Sequence, residues 1–96
     1  MIKHIVCFKL KDRNEELLQK TKNILLSMRE NVSLVKDIQV GVDFLHSPRS
    51  YDIILEVVLE NRDALDLYQN DKYHVEVVKK HMHSVAESSI AIDYDL

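Results

Sequence analysis

The sequence predicts one α+β domain of ferredoxin-like topology, with a four-stranded antiparallel sheet and the element order βαββαβ. The chain has 96 residues, 46% of them hydrophobic, which suits a single compact core over residues 1–96. Segments with a period of two alternate with segments of helical period. One glycine and one proline in the whole chain indicate short connections and no flexible linker.

Four segments have the character of β-strands. Residues 2–10 and 34–44 alternate along the chain with a period of two. Residues 51–60 are apolar almost without interruption, which is typical of a strand buried on both faces. Residues 88–94 alternate again and are predicted to form the last strand.

Two regions have the spacing of amphipathic helices. Between residues 14 and 30, apolar residues recur every three or four positions, and most charged residues fall on the other side. Asn61 is the predicted N-cap of the second region. This region extends through Tyr68 and, after a short break near residues 70–71, continues over residues 72–83. These helices are enough to cover one face of the sheet.

The second face of the predicted sheet is also apolar in part. In the first strand, Ile5 and Cys7 lie on the side opposite Val6 and Phe8. A large exposed apolar face is uncommon in monomers and usually marks an interface. Burying roughly 600 Å² per subunit at about 25 cal/mol/Å² contributes on the order of 15 kcal/mol before association costs. We therefore expect a homodimer, packed sheet against sheet as a dimeric α+β barrel.

Charge and composition argue against several classes of function. The net charge is −3, and the chain lacks the clustered positive charge that binds nucleic acid. No apolar run approaches about 20 residues and no secretory signal is visible, so we expect a cytoplasmic protein that does not bind membranes. The lone Cys7 fits a reducing compartment. The sequence has no phosphate-binding loop, serine-nucleophile elbow or CxxC motif.

No cofactor is expected, and the candidate metal ligands are weak. His81 and His83 are separated by one residue on a predicted helix, so their side chains point about 200° apart and cannot share an ion. Asp93 and Asp95 lie on one side of the last strand, where a hard cation or a lysine would fit. A solvated chain terminus is the simpler interpretation of this acidic pair.

Several segments together resemble the stress-responsive A/B barrel domain family. They are residues 1–11, Gly41 with Asp43, residues 51–55, Tyr68 followed six residues later by His74, and Asp93-Tyr94. The resemblance spans nearly the whole chain. It implies a ferredoxin-like protomer, a homodimeric α+β barrel, and a small pocket between the sheet and the helices of each subunit. It does not fix an activity.

The resemblance also implies candidate catalytic residues. In a plant polyketide cyclase of that family, which performs an aldol ring closure, the histidine matching His74 is the base. A tyrosine matching Tyr68 and a histidine matching His4 assist it, and all three residue types are present here. The family's common His-Pro-x-His segment is replaced by Asp71-Lys72-Tyr73-His74, so the turn and the charge beside His74 depart from the family pattern.

Each of these residues has a chemical and a structural interpretation. A histidine with a pKa near 6.5 accepts a proton from an acidic carbon at neutral pH, which suits His74 as a general base. Tyr68 would then donate a hydrogen bond to a substrate carbonyl. In the structural interpretation, His4 and His74 bond to the backbone, and Tyr68 is a core aromatic residue whose hydroxyl meets water.

Four hypotheses on function follow. The first is a homodimeric barrel that binds a small, partly apolar organic molecule near His4, Tyr68 and His74. The second is a cofactor-free cyclase or isomerase with His74 as general base. The third is a cofactor-independent monooxygenase, an activity found in a sister family of barrels. The fourth is a non-catalytic interaction or stress-protective protein with an empty or collapsed pocket.

Overall fold

The computed structural model describes residues 1–96 and confirms the predicted order of strands and helical regions. The strands are β1 (Ile2–Leu10), β2 (Asp37–Val42), β3 (Ile53–Leu59) and β4 (Ala86–Asp95). The first helical region consists of α1 (Glu15–Leu26) and α2 (Met28–Asn31). The second consists of α3 (Arg62–Gln69), a π-helical segment (His74–Lys79) and α4 (Lys80–Val85).

The four strands form one antiparallel sheet in the order β2-β3-β1-β4. This order is that of the ferredoxin-like fold, and it leaves β2 and β4 as the two edges. In the pairing of β1 with β4, His4 lies opposite Asp93 and Ile5 lies opposite Ile92. Because side chains alternate across a strand, these two pairs lie on opposite faces of the sheet.

The helices cover one face of the sheet, and the hydrophobic core lies between the two layers. Alternate residues of the strands point into this core, which explains the regular burial of every second residue in β3. The strands contribute Ile2, Leu10, Ile38, Ile53, Leu55, Val57 and Leu59 to the core. The helices contribute Leu18, Leu25, Met28, Ala64, Tyr68, Val78 and Met82. None of the helices has the length and apolar character that crossing a bilayer requires.

The first helical region is more interrupted than the predicted helix over residues 14–30. It begins as expected, because the side chain of Asn14 accepts a hydrogen bond from the backbone N–H of Leu17 at 2.8 Å. α1 ends at Leu26, and the hydroxyl of Ser27 donates to the backbone carbonyl of Ile24. This side-chain bond competes with the helical pattern, and α2 follows as a separate turn.

Several of the strands also begin or end at other residues than predicted. β2 is shorter than the predicted strand over residues 34–44, because Leu34 and Val35 pack against the core from a turn. The predicted N-cap is confirmed, since the side chain of Asn61 accepts from the backbone N–H of Ala64 at 2.8 Å. β4 follows α4 without a loop and starts two residues earlier than predicted, at Ala86.

The second face of the sheet carries no helix, and we call it the free sheet face. Ile90, Ile92 and Tyr94 expose 51%, 63% and 44% of their surface there. Half-buried apolar side chains of the two central strands lie beside them. The apolar residues of the free sheet face are Ile5, Cys7, Ile54, Val58, Ile90, Ile92 and Tyr94. The sheet is therefore apolar on both sides, as the sequence predicts.

Candidate functional site

A cavity of about 610 Å³ lies between the sheet and the second helical region. This volume falls within the range of small-molecule sites, which is about 300–1,000 Å³. Inward-facing residues of β1 and β4 line one side, and the second helical region lines the other. The apolar lining consists of Val6, Phe8, Leu25, Leu55, Val78, Met82, Ala86 and Ala91, with Tyr68 as the ninth hydrophobic residue.

The structure brings the three candidate residues His4, Tyr68 and His74 together in this cavity. All three are buried, with Tyr68 fully inaccessible to solvent. The ring centroids of His4 and Tyr68 are 5.7 Å apart in an edge-to-face arrangement. Those of Tyr68 and His74 are 4.3 Å apart with tilted planes. The tyrosine ring therefore contacts both imidazoles.

The tautomer of His74 follows from its hydrogen bond to the backbone. Its Nδ1 lies 2.9 Å from the carbonyl oxygen of Tyr68. A carbonyl oxygen only accepts, so Nδ1 carries the proton, and Nε2 of the neutral ring keeps its lone pair. Nε2 of His74 has no hydrogen-bond partner in the protein. It is also not fully buried, because Asp52 Oδ1 is the only fully buried side-chain polar atom that lacks a hydrogen bond. Nε2 is thus available to a molecule in the cavity.

The environment of His74 keeps its imidazole neutral. Burial lowers the pKa of His74 below its ordinary value of 6.5, and the nearby Lys79 and His4 lower it further. The hydrogen bond to the backbone and the negative charge of Asp71 act in the opposite direction, but burial prevails. The neutral ring is the form that accepts a proton, and it persists at neutral pH.

The turn between α3 and the π-helical segment positions His74. The carboxylate of Asp71 accepts a hydrogen bond from the backbone N–H of His74 at 3.0 Å. The ammonium of Lys79 donates to the backbone carbonyl of Gln69, the last residue of α3, at 2.8 Å. Helical turns of the π type are rare and are often found at functional sites. Here the segment begins with the candidate base itself.

His4 has a carboxylate partner that the sequence analysis did not assign. Its Nδ1 forms a hydrogen bond with Asp93 Oδ1, from the residue directly opposite on β4. When the ring is neutral, Nδ1–H donates to the carboxylate and Nε2 is left free on the cavity side. A carboxylate holds the imidazole in this way in known histidine-based catalytic sites. The alternation of β4 does not indicate that Asp93 points inward, and only the register of β4 against β1 reveals its partner.

The hydroxyl of Tyr68, which was expected to donate to a substrate carbonyl, has a partner within the protein. Its hydroxyl donates to the thioether sulfur of Met28 at 3.6 Å. Burial and the neighbouring Asp71 raise the pKa of Tyr68, so the hydroxyl stays protonated and remains a donor. A thioether is a weak acceptor, so the Tyr68 hydroxyl has no strong hydrogen-bond partner in the protein. The ring itself forms part of the cavity wall.

The cavity extends along β1 from the imidazoles towards polar side chains. His4 and Phe8 are both inward-facing and are four residues apart, which corresponds to about 13 Å along a strand. Phe8 lies opposite Ser89, whereas His4 lies opposite Asp93. The polar residues lining the cavity, apart from His4 and His74, are Gln69, Lys79, His83, Glu87, Ser88 and Ser89.

Three of the four residues considered as metal ligands have other partners, and the fourth, His83, lines the cavity. His81 Nε2 lies 2.9 Å from the hydroxyl of Thr21, which links α4 to α1. Asp95 pairs with Arg62 at 2.6 Å, and Asp93 pairs with His4. Asp95 is solvated, as interpreted from the sequence, because 61% of its side chain stays exposed in the pair with Arg62. Asp93 differs, since it binds the buried His4. No group of three or more histidine, cysteine or acidic side chains is arranged to hold a metal ion.

Comparison with known proteins gives both a family and a set of similar folds. The family model described as the stress responsive A/B barrel domain matches residues 2–96. No curated protein sequence matches the chain. Among solved structures, a dimeric protein of unknown function with a ferredoxin-like fold, from Bacteroides fragilis, is 27% identical. The alignment covers 99% of this chain and 95% of that one, with a TM-score of 0.82.

Two further solved structures share the fold at lower sequence identity. A dimeric ferredoxin-like protein of unknown function from Thermobifida fusca is 19% identical, with a TM-score of 0.84 over 99% of this chain and 90% of that one. A hydroxynitrile lyase from Passiflora edulis is 13% identical, with a TM-score of 0.81 over 99% of this chain and 92% of that one. These similarities establish the fold.

The negative charge of Asp71 provides a test of the electrostatics around His74. The Asp71→Asn variant keeps an oxygen that can accept from the backbone N–H of His74 but loses the charge that raises the pKa of the imidazole. We expect the pKa of His74 to fall further below 6.5. An NMR titration of the His74 ring resonances measures this change.

The matched control is Asp66→Asn, at an exposed position of α3 that makes no contribution to the pKa of His74. It should leave the titration midpoint unchanged. An equal or higher midpoint in the Asp71→Asn protein would contradict the expectation that the charge of Asp71 raises the pKa of His74.

Proposed function

The chain belongs to the stress-responsive A/B barrel domain family, and on this basis we propose that it is a homodimer in which each protomer binds a small, partly apolar organic molecule. The observation that carries the proposal is the cavity, which combines an apolar lining with the imidazoles of His4 and His74. His4 and His74 each use Nδ1 for a partner in the protein, and each leaves Nε2 for a ligand. The apolar part of the ligand would pack against residues such as Val6 and Leu55.

The polar part of the ligand would bind at the imidazoles. A neutral imidazole whose Nδ1 is protonated presents an acceptor at Nε2, so it suits a hydroxyl or an acidic C–H group. A protonated His4 beside Asp93 would instead present a donor to a carbonyl oxygen. The two histidines thus recognise a molecule that carries an enolisable carbonyl or a hydroxyl group at one end and apolar groups at the other.

The homodimer is supported by the free sheet face and by the solved relatives. Seven apolar side chains lie on this face without a helix to cover them. The proteins from Bacteroides fragilis and Thermobifida fusca, which match nearly the whole chain, are both described as dimeric. A second copy is therefore the proposed partner for the free sheet face.

A substitution that fills the cavity tests ligand binding. Ala91 lines the cavity on β4, and a phenylalanine there would occupy the space between the sheet and the second helical region. We expect Ala91→Phe to weaken binding of the apolar fluorescent dye 1-anilinonaphthalene-8-sulfonate at least about tenfold, a loss of about 1.4 kcal/mol. Fluorescence titration of the purified protein measures the dissociation constant.

The Ala91→Ser variant is the matched control, since it keeps the size of the side chain and should retain dye binding. A dye affinity that is the same in the wild type and Ala91→Phe would place the dye elsewhere on the protein. A structure of the protein purified without added ligand, with no density beside His74 and a collapsed cavity, would favour the non-catalytic hypothesis.

A second candidate function is proton transfer without a cofactor, as in a cyclase, lyase or isomerase, with His74 as the general base. It is favoured by one specific observation, the neutral imidazole whose free Nε2 faces an apolar cavity. The structure of similar fold that is described as a hydroxynitrile lyase indicates that this architecture accommodates catalysis. Tyr68 and His4 would assist by stabilising the negative charge that develops on a carbonyl oxygen.

Exchange of α-protons tests this second candidate directly. The wild-type protein should accelerate exchange of the α-protons of a methyl ketone such as 4-phenyl-2-butanone in D2O, followed by NMR. General base catalysis contributes about 10²–10⁴-fold, so His74→Gln should lower the rate at least about 10²-fold. Because the pKa of His74 is lowered, the rate should fall only when the pH drops below 6.5 and the base becomes protonated.

His81→Gln is the control for this experiment, because His81 bonds Thr21 and does not line the cavity. Exchange that proceeds equally fast in His74→Gln and the wild type would remove His74 from the mechanism. Oxygen consumption with candidate quinols, together with no exchange above the buffer rate, would favour the monooxygenase hypothesis instead.

A further inference from the structure

The free sheet face contains one ion pair among its apolar residues. Lys3 Nζ of β1 lies 3.6 Å from Glu56 Oε1 of β3. Their side chains are 27% and 28% exposed, so the protomer already shields much of both. The side chains of Lys3 and Glu56 make no other polar contact within the protomer. Both therefore keep unused hydrogen-bonding capacity that points away from the helices.

The pair has apolar neighbours on the free sheet face. In the sheet register, Lys3 is flanked by Val58 and Tyr94, and Glu56 is flanked by Ile5 and Gln39. Anything that covers these apolar neighbours must also remove water from the two charges. A further acidic residue on this face is Asp37, at its β2 edge.

We propose that the Lys3–Glu56 pair sets the register in which two copies of this chain pack their free sheet faces together. The proposal rests on the homodimer proposed above and adds the element that orients it. In a two-fold interface both copies use the same surface, so the pair of one copy can meet the pair of the other with opposite charges facing. Each ammonium and each carboxylate then gains a second partner.

The energetic basis is the cost of burying a charge without a full set of partners. Desolvation of an ion pair is compensated only when further hydrogen bonds satisfy both groups. A register that places Lys3 or Glu56 against the isoleucines of the second copy lacks these bonds and is disfavoured. Such a pair contributes little to affinity but excludes alternative arrangements of a smooth apolar surface.

The test uses charge reversal followed by mixing. Lys3→Glu turns the pair into two negative charges, and Glu56→Lys turns it into two positive charges. Each variant alone should show a dimer dissociation constant raised at least about tenfold by sedimentation equilibrium. An equimolar mixture of the two variants should form a heterodimer with an affinity close to that of the wild type.

Control variants separate the pair from general effects of charge and folding. Lys20→Glu reverses an exposed lysine on α1, in the helical layer, and should leave the dissociation constant unchanged. Lys3→Met with Glu56→Gln removes both charges with little change in size. We expect this double variant to dimerise but to give more than one set of amide resonances in ¹H–¹⁵N spectra, since several registers become accessible.

The possible outcomes are distinct. Reversal variants that each dimerise as tightly as the wild type, or a double variant with a single set of resonances, would overturn the role of the pair while leaving the homodimer intact. A wild-type protein that remains monomeric would overturn the homodimer itself. Weak self-association of both reversal variants that is not rescued by mixing would show that the pairs of the two copies do not meet.

Discussion

The arrangement of this protein depends on a sheet that is apolar on both faces while the helices suffice for only one. The inward residues of β3 are buried under the helices, whereas Ile90, Ile92 and Tyr94 of β4 stay exposed on the other side. Removing apolar surface from water is the main favourable contribution to folding and association. The same sheet therefore produces two features, a cavity on the helical side and an exposed apolar surface on the other.

The cavity forms because the helical layer is thinnest above β4. The second helical region is divided into α3, the π-helical segment and α4, and it does not bury the inward side of the last strand. That side carries the small residues Ser89 and Ala91, so space remains between strand and helix. The division of the second helical region also positions His74, because the turn after α3 directs its Nδ1 to a backbone carbonyl.

Much of the fold could be predicted from the sequence, because periodicity reports directly on strands and helices. Details that depend on tertiary contacts could not. The break at Ser27 arises from a side-chain bond to Ile24 and a contact with the Tyr73 hydroxyl, which no helical pattern reveals. The start of β4 at Ala86 depends on its pairing with Leu10 across a shift in register.

The candidate site could also be predicted from the sequence only in part. His4, Tyr68 and His74 were identified from a resemblance, and the structure places them in one cavity. The partner of His4 required knowledge of which residue of β4 lies opposite, so Asp93 was interpreted as a terminal acidic residue. The bond of the Tyr68 hydroxyl to Met28 joins residues 40 positions apart and leaves no trace in local sequence.

The mass of the unaltered protein in solution tests the central claim most directly, since a sheet with two apolar faces and one layer of helices needs a second copy. Sedimentation velocity at micromolar concentration should give a species of twice the chain mass of 11.3 kDa. A well-folded species of 11.3 kDa that persists as the concentration is raised would contradict the account, because the free sheet face would then be stable in water.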